Sequence, residues 1–285
     1  MLPLYYEYHN PVKILSGEAA LENIPYELHA LEAHAPLLLS DQGLKQVGAV
    51  DTVLHAMSPT VPKAIFTDIP ADSSVAVVNQ IAAYYKEQGC DSILAVGGGS
   101  VIDTAKGVRM VISQNTDNIE SLMGCEVLTA GRHIPFLAVP TTAGTGSEVT
   151  PVAVISNPQK QVKQEYLSAH LLPDAAILDL RMTMTLPPKV TASTGIDALC
   201  HAIESFTCLQ KNPMSDAYAA GAIPLIMRYL PIAAAHPGNK EARMAMANAS
   251  LMAGTSFGNS MVGLVHAIGH ALGGVCHVAH GDAMS

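Results

Sequence analysis

Four short apolar runs punctuate the first 180 residues: APLLLS (35–40), SILAVG (92–97), IPFLAVP (134–140) and DAAILD (174–179). Each is too short for a helix and is bounded by turn residues, so each reads as a buried strand. Helical patterns lie between them, most clearly SVAVVNQIAAYYKEQG (74–89) and VIDTAKGVRMVIS (101–113). Strands alternating with helices require a mostly parallel sheet covered on both faces. One segment breaks the rhythm. VAVISNPQKQVKQ (152–164) has the pattern of an antiparallel hairpin turning at Asn157-Pro158. After Leu186-Pro187-Pro188 the strand signals stop, and three helical stretches follow from Thr191, Ser215 and Lys240. Proline is tolerated in a helix's first turn, so this pair suits a boundary. The expectation is an α/β domain over 1–185 and an all-helical domain over 186–285.

Composition narrows the function classes. The formal net charge is −9 and no basic run supplies a phosphate footprint, which argues against a nucleic-acid partner. The five cysteines, Cys90, Cys125, Cys200, Cys208 and Cys276, are scattered without a CxxC pair, as expected of reduced thiols in a cytoplasmic protein. The first residues, MLPLYYEYHNPVKILSG, do not read as a signal peptide. Between Arg243 and Asp282 there is no Asp, Glu, Lys or Arg, a stretch long enough for a membrane span. It carries Asn248, Ser250, Thr255, Asn259 and four histidines, too polar for hydrocarbon, so no membrane partner is expected. It reads as the buried wall of a polar site.

That site is written in two helical patterns. Asp197 and His201 in GIDALCHAIESF are four apart, and so are His266 and His270 in VHAIGHALGGVCHVAHGD. Residues four apart share a helix face, so each pair can aim at a common point. Gly273-Gly274 is expected to break the second helix, letting His280 return from a new direction. Any one of these histidines alone reads as an ordinary core or surface residue. One Asp with two or three His is a set that binds zinc or ferrous iron. His277, three before His280, reads as structural or exposed.

A nucleotide site is suggested upstream. SILAVGGGSVIDTAKG is strand, glycine turn, helix; Gly97, Gly98 and Gly99 allow close backbone approach, and a helix from near Ser100 offers free N–H groups to a pyrophosphate. It departs from G-x-G-x-x-G, because Ile102 stands at the third glycine position. Asp41 ends the strand APLLLSD, where a carboxylate can accept from an adenosine ribose diol and repel a 2′-phosphate. PTTAGTGSEVT (140–150), dense in hydroxyls and glycines, suits a loop around a phosphate or a nicotinamide ribose.

GGGSVIDTAKG, PTTAGTGSEVT, GIDALCHAIESF and HAIGHALGG…HVAHGD, in this order, resemble the iron-containing (group III) alcohol dehydrogenases. The resemblance implies a Rossmann-like NAD-binding domain and a helical metal-binding domain of dehydroquinate synthase-like architecture, assembled as a homodimer. It implies Asp197, His201, His266 and His280 as metal ligands and His270 as a non-ligand histidine near substrate and nicotinamide. Asp41, Gly97, Gly98, Gly99, Ser100, Thr141, Thr142, Thr150 and Lys163 fall on cofactor-contacting positions, and Leu180 on one that packs near the nicotinamide. The implied cofactors are NAD and Fe²⁺, with Zn²⁺ equally suited by the donor set. The implied reaction moves hydride between a small alcohol and NAD, giving an aldehyde or ketone.

Two departures stand out. Where many members carry an Asn-Pro pair, this chain reads Ile69-Pro70-Ala71-Asp72. Members also continue beyond the last histidine with further helices, so the expectation is an incompletely represented chain with apolar surface exposed on the helices from 196 to 272. Two other readings compete: a metal-dependent lyase or glycerol-dehydrogenase-like enzyme on the same scaffold, and an inactive chain. A lyase acting on a phosphorylated acid needs cationic side chains. After residue 185 these are only Lys189, Lys211, Arg228, Lys240 and Arg243.

Overall fold

The computed structural model describes residues 3–123, 131–276, 278 and 280–284; Cys125 and His277 lie outside them. In chain order the first half runs β1 (Lys13–Gly17), α1 (Ile24–Ala30), β2 (Pro36–Leu39), α2 (Gln42–Gln46), α3 (Ala49–Ala56), β3 (Ala64–Phe66), α4 (Val75–Gln88), β4 (Ser92–Gly97) and α5 (Gly99–Ser113). It continues through β5 (Phe136–Pro140), β6 (Val152–Asn157), β7 (Val162–Leu167), β8 (Ala175–Asp179) and α6 (Leu180–Thr183). Helices α7 (Pro188–Thr207), α8 (Pro213–Ala235), α9 (Lys240–Phe257), α10 (Leu264–Cys276) and α11 (His280–Ala283) follow.

The four apolar runs form β2, β4, β5 and β8, and every residue of these strands is buried. Both faces are covered, which is why they read as unbroken apolar stretches rather than alternating ones. The pleat divides them. Leu37, Ile93 and Phe136 pack under α4 and α5 with Val78, Ile81 and Val108, while Leu38, Leu94 and Leu137 pack with Leu28, Val50 and Val53 of α1 and α3. The six-stranded parallel sheet has the order β1-β8-β5-β4-β2-β3. From β2 the chain moves outward to β3, and from β4 it moves the opposite way to β5. The carboxyl ends of β2 and β4 therefore flank a topological switch point, where open α/β sheets bind ligands. Asp41 lies just past the end of β2, and Gly97–Gly99 span the end of β4 and the start of α5.

The expected hairpin is β6–β7, antiparallel, with Asn157 opposite Val162. No strand occurs after β8 among the described residues. Pro187 caps α7 and Pro188 opens it. Alanines at the α7–α8–α9 contacts, including Ala198, Ala202, Ala222, Ala249 and Ala253, let the three helices approach closely. By length and hydropathy α8 could cross a membrane, yet Ala219, Ala222, Ile226 and Ala233 are buried against its neighbours. One expectation fails. Gly273-Gly274 does not end α10, which continues to Cys276. A glycine inside a helix costs only about 1 kcal/mol, too little to end one by itself. The α10 face bearing Leu264, Ile268, Leu272 and Val275 is exposed, as are Ile203 and Phe206 of α7.

The two halves meet at bare backbone. Gly146, with φ +59°, lies against Gly254 of α9, and a Cβ on Gly254 would sit 2.8 Å from the Gly146 Cα. Neither position has room for a side chain.

Candidate active site

On the sheet side, Gly97 closes β4 and Gly99 opens α5. A Cβ on Gly97 would meet the Val101 Cβ at 2.4 Å, and one on Gly99 would meet the Thr145 Cγ2 at 2.8 Å. The turn is thus held against the loop after β5. The Thr141 N–H donates to the Gly97 carbonyl (3.0 Å), and Thr142 packs on Gly98. Asp41 caps α2, accepting from the Leu44 N–H at 2.8 Å. Leu180 begins α6 at the carboxyl end of β8 and is buried.

Residues that sequence reading passed over brace this region from inside α5. Asp103 accepts from the Ser147 hydroxyl (2.5 Å) and the Val154 N–H (2.9 Å). Lys106 is fully buried and donates to the carbonyls of Thr150 (2.9 Å) and Val152 (2.6 Å). Three charged residues at three-residue intervals on this helix, Asp103, Lys106 and Arg109, were the available signal. Burial pushes the Lys106 ammonium down to about 8 and the neighbouring Glu148 carboxyl up to about 7. A carboxyl raised from 4.5 towards 7 binds a proton in the folded state that the unfolded chain has released, so its stabilising contribution is lost as pH rises across that window. Glu148→Gln is expected to remove this slope, worth on the order of 1–3 kcal/mol. Melting temperatures of both proteins at pH 5 and pH 7 check it, and parallel pH profiles would contradict it.

On the helical side, α7 carries Asp197, His201 and Glu204 on one face, all buried. Helices α10 and α11 bring His266 and His280 to them. The Asp197 Oδ1 lies 3.9 Å from His201 Nδ1, 3.5 Å from His266 Nε2 and 3.4 Å from His280 Nε2. Donor atoms of Asp197, His201 and His266 all fall within 4.8 Å of one another. Asp197 Oδ1, His201 Nδ1 and His266 Nε2 are buried without a hydrogen-bond partner among the described residues. Orphaned polar atoms are costly to bury, and three converging on one point fit a cation as their common partner. His201 stacks between Phe257, with centroids 4.2 Å apart, and His266, at 4.3 Å.

Glu204 was not singled out from sequence, although it stands seven after Asp197 and three after His201. Its Oε1 accepts from the Val265 N–H at 2.7 Å, and its Oε2 contacts His266 Nδ1. That bond turns the other ring nitrogen, Nε2, toward Asp197, an outer-shell arrangement common around metal-bound histidine. Burial alone would raise the Asp197 carboxyl, but the imidazoles of His201, His266 and His280 outweigh it and hold it far below the usual carboxylate range. Burial pushes His201 down to about 3, keeping its ring neutral. His270 is directed elsewhere, with Nδ1 2.6 Å from Glu165 Oε1 on the hairpin.

A cavity of about 330 Å³ joins the two sides. Gly99, Ser100, Thr150 and Lys163 line it together with His201, His266, His270 and His280, and Phe257, Met261 and Val262 are also part of the lining. Asp41, Gly97, Gly98, Thr141, Thr142 and Leu180 stand outside that lining, back along the strand ends.

The chain is similar to known proteins. Residues 11–180 match the family model for iron-containing alcohol dehydrogenase, and residues 191–285 match that for the C-terminal part of the Fe-containing alcohol dehydrogenase family. A choline dehydrogenase from Bacillus subtilis (strain 168) is 36% identical over 99% of this chain and 70% of its own length. A 1,3-propanediol dehydrogenase from Klebsiella pneumoniae is 37% identical over 98% of this chain and 72% of its own. The crystal structure of sulfoacetaldehyde reductase from Bifidobacterium kashiwanohense in complex with NAD⁺ superposes with a TM-score of 0.92 at 34% identity, covering 99% of this chain and 74% of that one. The chain belongs to the iron-containing alcohol dehydrogenase family, and with that membership come metal-dependent oxidoreductase activity on alcohols and NAD as cofactor.

Proposed function

We propose that Asp197, His201, His266 and His280 hold one divalent ion, Fe²⁺ or Zn²⁺, and that the chain oxidises a small aliphatic alcohol with NAD. The convergence of three orphaned buried donors carries this reading. Such an ion supplies Lewis acidity, making the alcohol's hydroxyl proton easier to lose. The residues do the rest. Glu204 fixes the His266 ring so that Nε2 faces the ion's place. Gly97–Ser100, with Thr141 and Thr142 behind them and Lys163 beside them, receive the cofactor diphosphate, while Thr150 and Leu180 lie toward the nicotinamide half. Asp41 accepts from the adenosine ribose diol and disfavours a 2′-phosphate. His270, oriented by Glu165, takes the alcohol proton and passes it outward. Phe257, Met261 and Val262 form an uncharged wall that suits a short alkyl chain and excludes water.

The division at about residue 185 separates cofactor side from metal side. We further place the protein in the cytoplasm as a homodimer. The thiols of Cys90, Cys200, Cys208 and Cys276 are free, which fits a reducing compartment.

Anaerobic loading with Fe²⁺ or Zn²⁺, then NAD⁺ or NADP⁺ and a panel of short alcohols, tests the reading through absorbance of the reduced nicotinamide. Turnover should require metal and favour NAD⁺. Equal or better use of NADP⁺ would displace Asp41 from the ribose, and metal-independent turnover would remove the ion from the reaction.

A further inference from the structure

Lys163 is the one lysine or arginine among the described residues lining the cavity, and it does not stand alone. Its Nζ lies 2.7 Å from Asp72 Oδ1. Asp72 has φ +60°, and its N–H donates to the Ser100 hydroxyl at 3.2 Å, so its carboxylate is held beside the first turn of α5. Aspartate and asparagine are the side chains that best tolerate this left-handed backbone. Lys163 is nearly covered, with 11% of its side chain exposed, against 50% for Asp72. An anion entering at Gly99–Ser100 therefore meets two attractive elements, the positive end of α5 and the Lys163 ammonium, and one opposing charge that already occupies the ammonium.

We propose that Asp72 is a counter-ion that weakens the cleft's grip on the dinucleotide diphosphate and so speeds cofactor exchange. The inference rests on the dinucleotide placement proposed above. Asp72 engages Lys163 at 2.7 Å. Binding must either break that pair or bring the phosphates close to an uncompensated carboxylate. Both raise the dissociation constant, and both depend on charge rather than shape.

Asp72→Asn keeps the size and the tolerance for positive φ while removing the charge. Titration with NADH, followed by nicotinamide fluorescence on metal-free and metal-loaded protein, should give a dissociation constant about three- to tenfold lower than wild type. The gain should shrink as salt rises from about 50 to about 500 mM, because a partly exposed charge is screened. Under saturating alcohol, KM for NAD⁺ and kcat should fall together where NADH release limits turnover. Lys163→Met in the Asp72→Asn background should abolish the gain. An unchanged constant overturns the inference, and a raised one shows that Asp72 instead accepts a hydrogen bond from the cofactor. Wild-type protein that fails to bind NADH at all overturns the dinucleotide placement itself.

Discussion

Asp197→Ala is expected to yield a folded protein that retains almost no metal and oxidises alcohols at least about a thousandfold more slowly, given the several kcal/mol that Lewis-acid catalysis supplies. Asp197 is the one carboxylate whose oxygen faces all three imidazoles, at 3.4–3.9 Å. It is also almost completely buried, with 1% of its surface exposed. Removing it leaves only imidazoles in the ligand set, with the nearest carboxylate, Glu204, acting through His266 rather than on the ion itself. The fold should not suffer, because Oδ1 has no hydrogen-bond partner among the described residues. The metal-free variant should melt close to the metal-free wild type, because losing the imidazole contacts that keep the carboxyl ionised is offset by no longer burying a charge. Metal analysis with parallel melting curves checks both halves. Stoichiometric metal in the variant would refute the ligand set, and a large loss of stability would show that Asp197 instead supports the helix packing.

The second large effect is expected from a residue with no direct claim on the ion. Glu204→Gln should lower metal affinity about 10- to 100-fold, the usual range for outer-shell partners of a histidine ligand. A carboxylate accepts a hydrogen bond from the His266 Nδ1–H and leaves Nε2 with its lone pair toward Asp197. The amide can still accept from the Val265 N–H through its oxygen, which presents its NH₂ to the ring. Nδ1 must then accept, and the proton moves to Nε2, the tautomer that cannot ligate. Competition with a chelator reads the affinity, and nitrogen shifts of His266 read the tautomer. Lost affinity with an unchanged tautomer would mean that Glu204 acts only through the position of α10.

Strands buried on both faces were legible because they leave an unbroken apolar signature, as in SILAVG. The edge strands β1 and β3 were not. KILSG is mostly exposed or half-buried, and AIF is three residues long, so neither carries an apolar run. Asp197 and His201 were readable from spacing alone, since one helix carries both. The approach of His266 and His280 to them was not. It depends on how α10 and α11 dock on α7, and the Gly273-Gly274 pair gave a false stop. Asp103, Lys106 and Glu204 escaped notice because a charged residue on a helix ordinarily faces water. Only the packing reveals that these three point inward.

The contact between Gly146 and Gly254 has a consequence for anyone who would redesign this cleft. Most domain clefts are spaced by side chains, which swap rotamers and let the gap drift as residues are exchanged. Here main chain rests on main chain, with the Gly254 Cβ position blocked by the Gly146 Cα and carbonyl oxygen. The offset between the hydroxyl-rich loop and the helix layer is a property of covalent geometry, insensitive to neighbouring repacking. A library directed at Met261 and Val262 can therefore reshape the wall of the cavity without moving the two layers relative to each other, whereas Phe257 also carries the His201 ring. A library that touches either glycine changes the gauge of the whole machine.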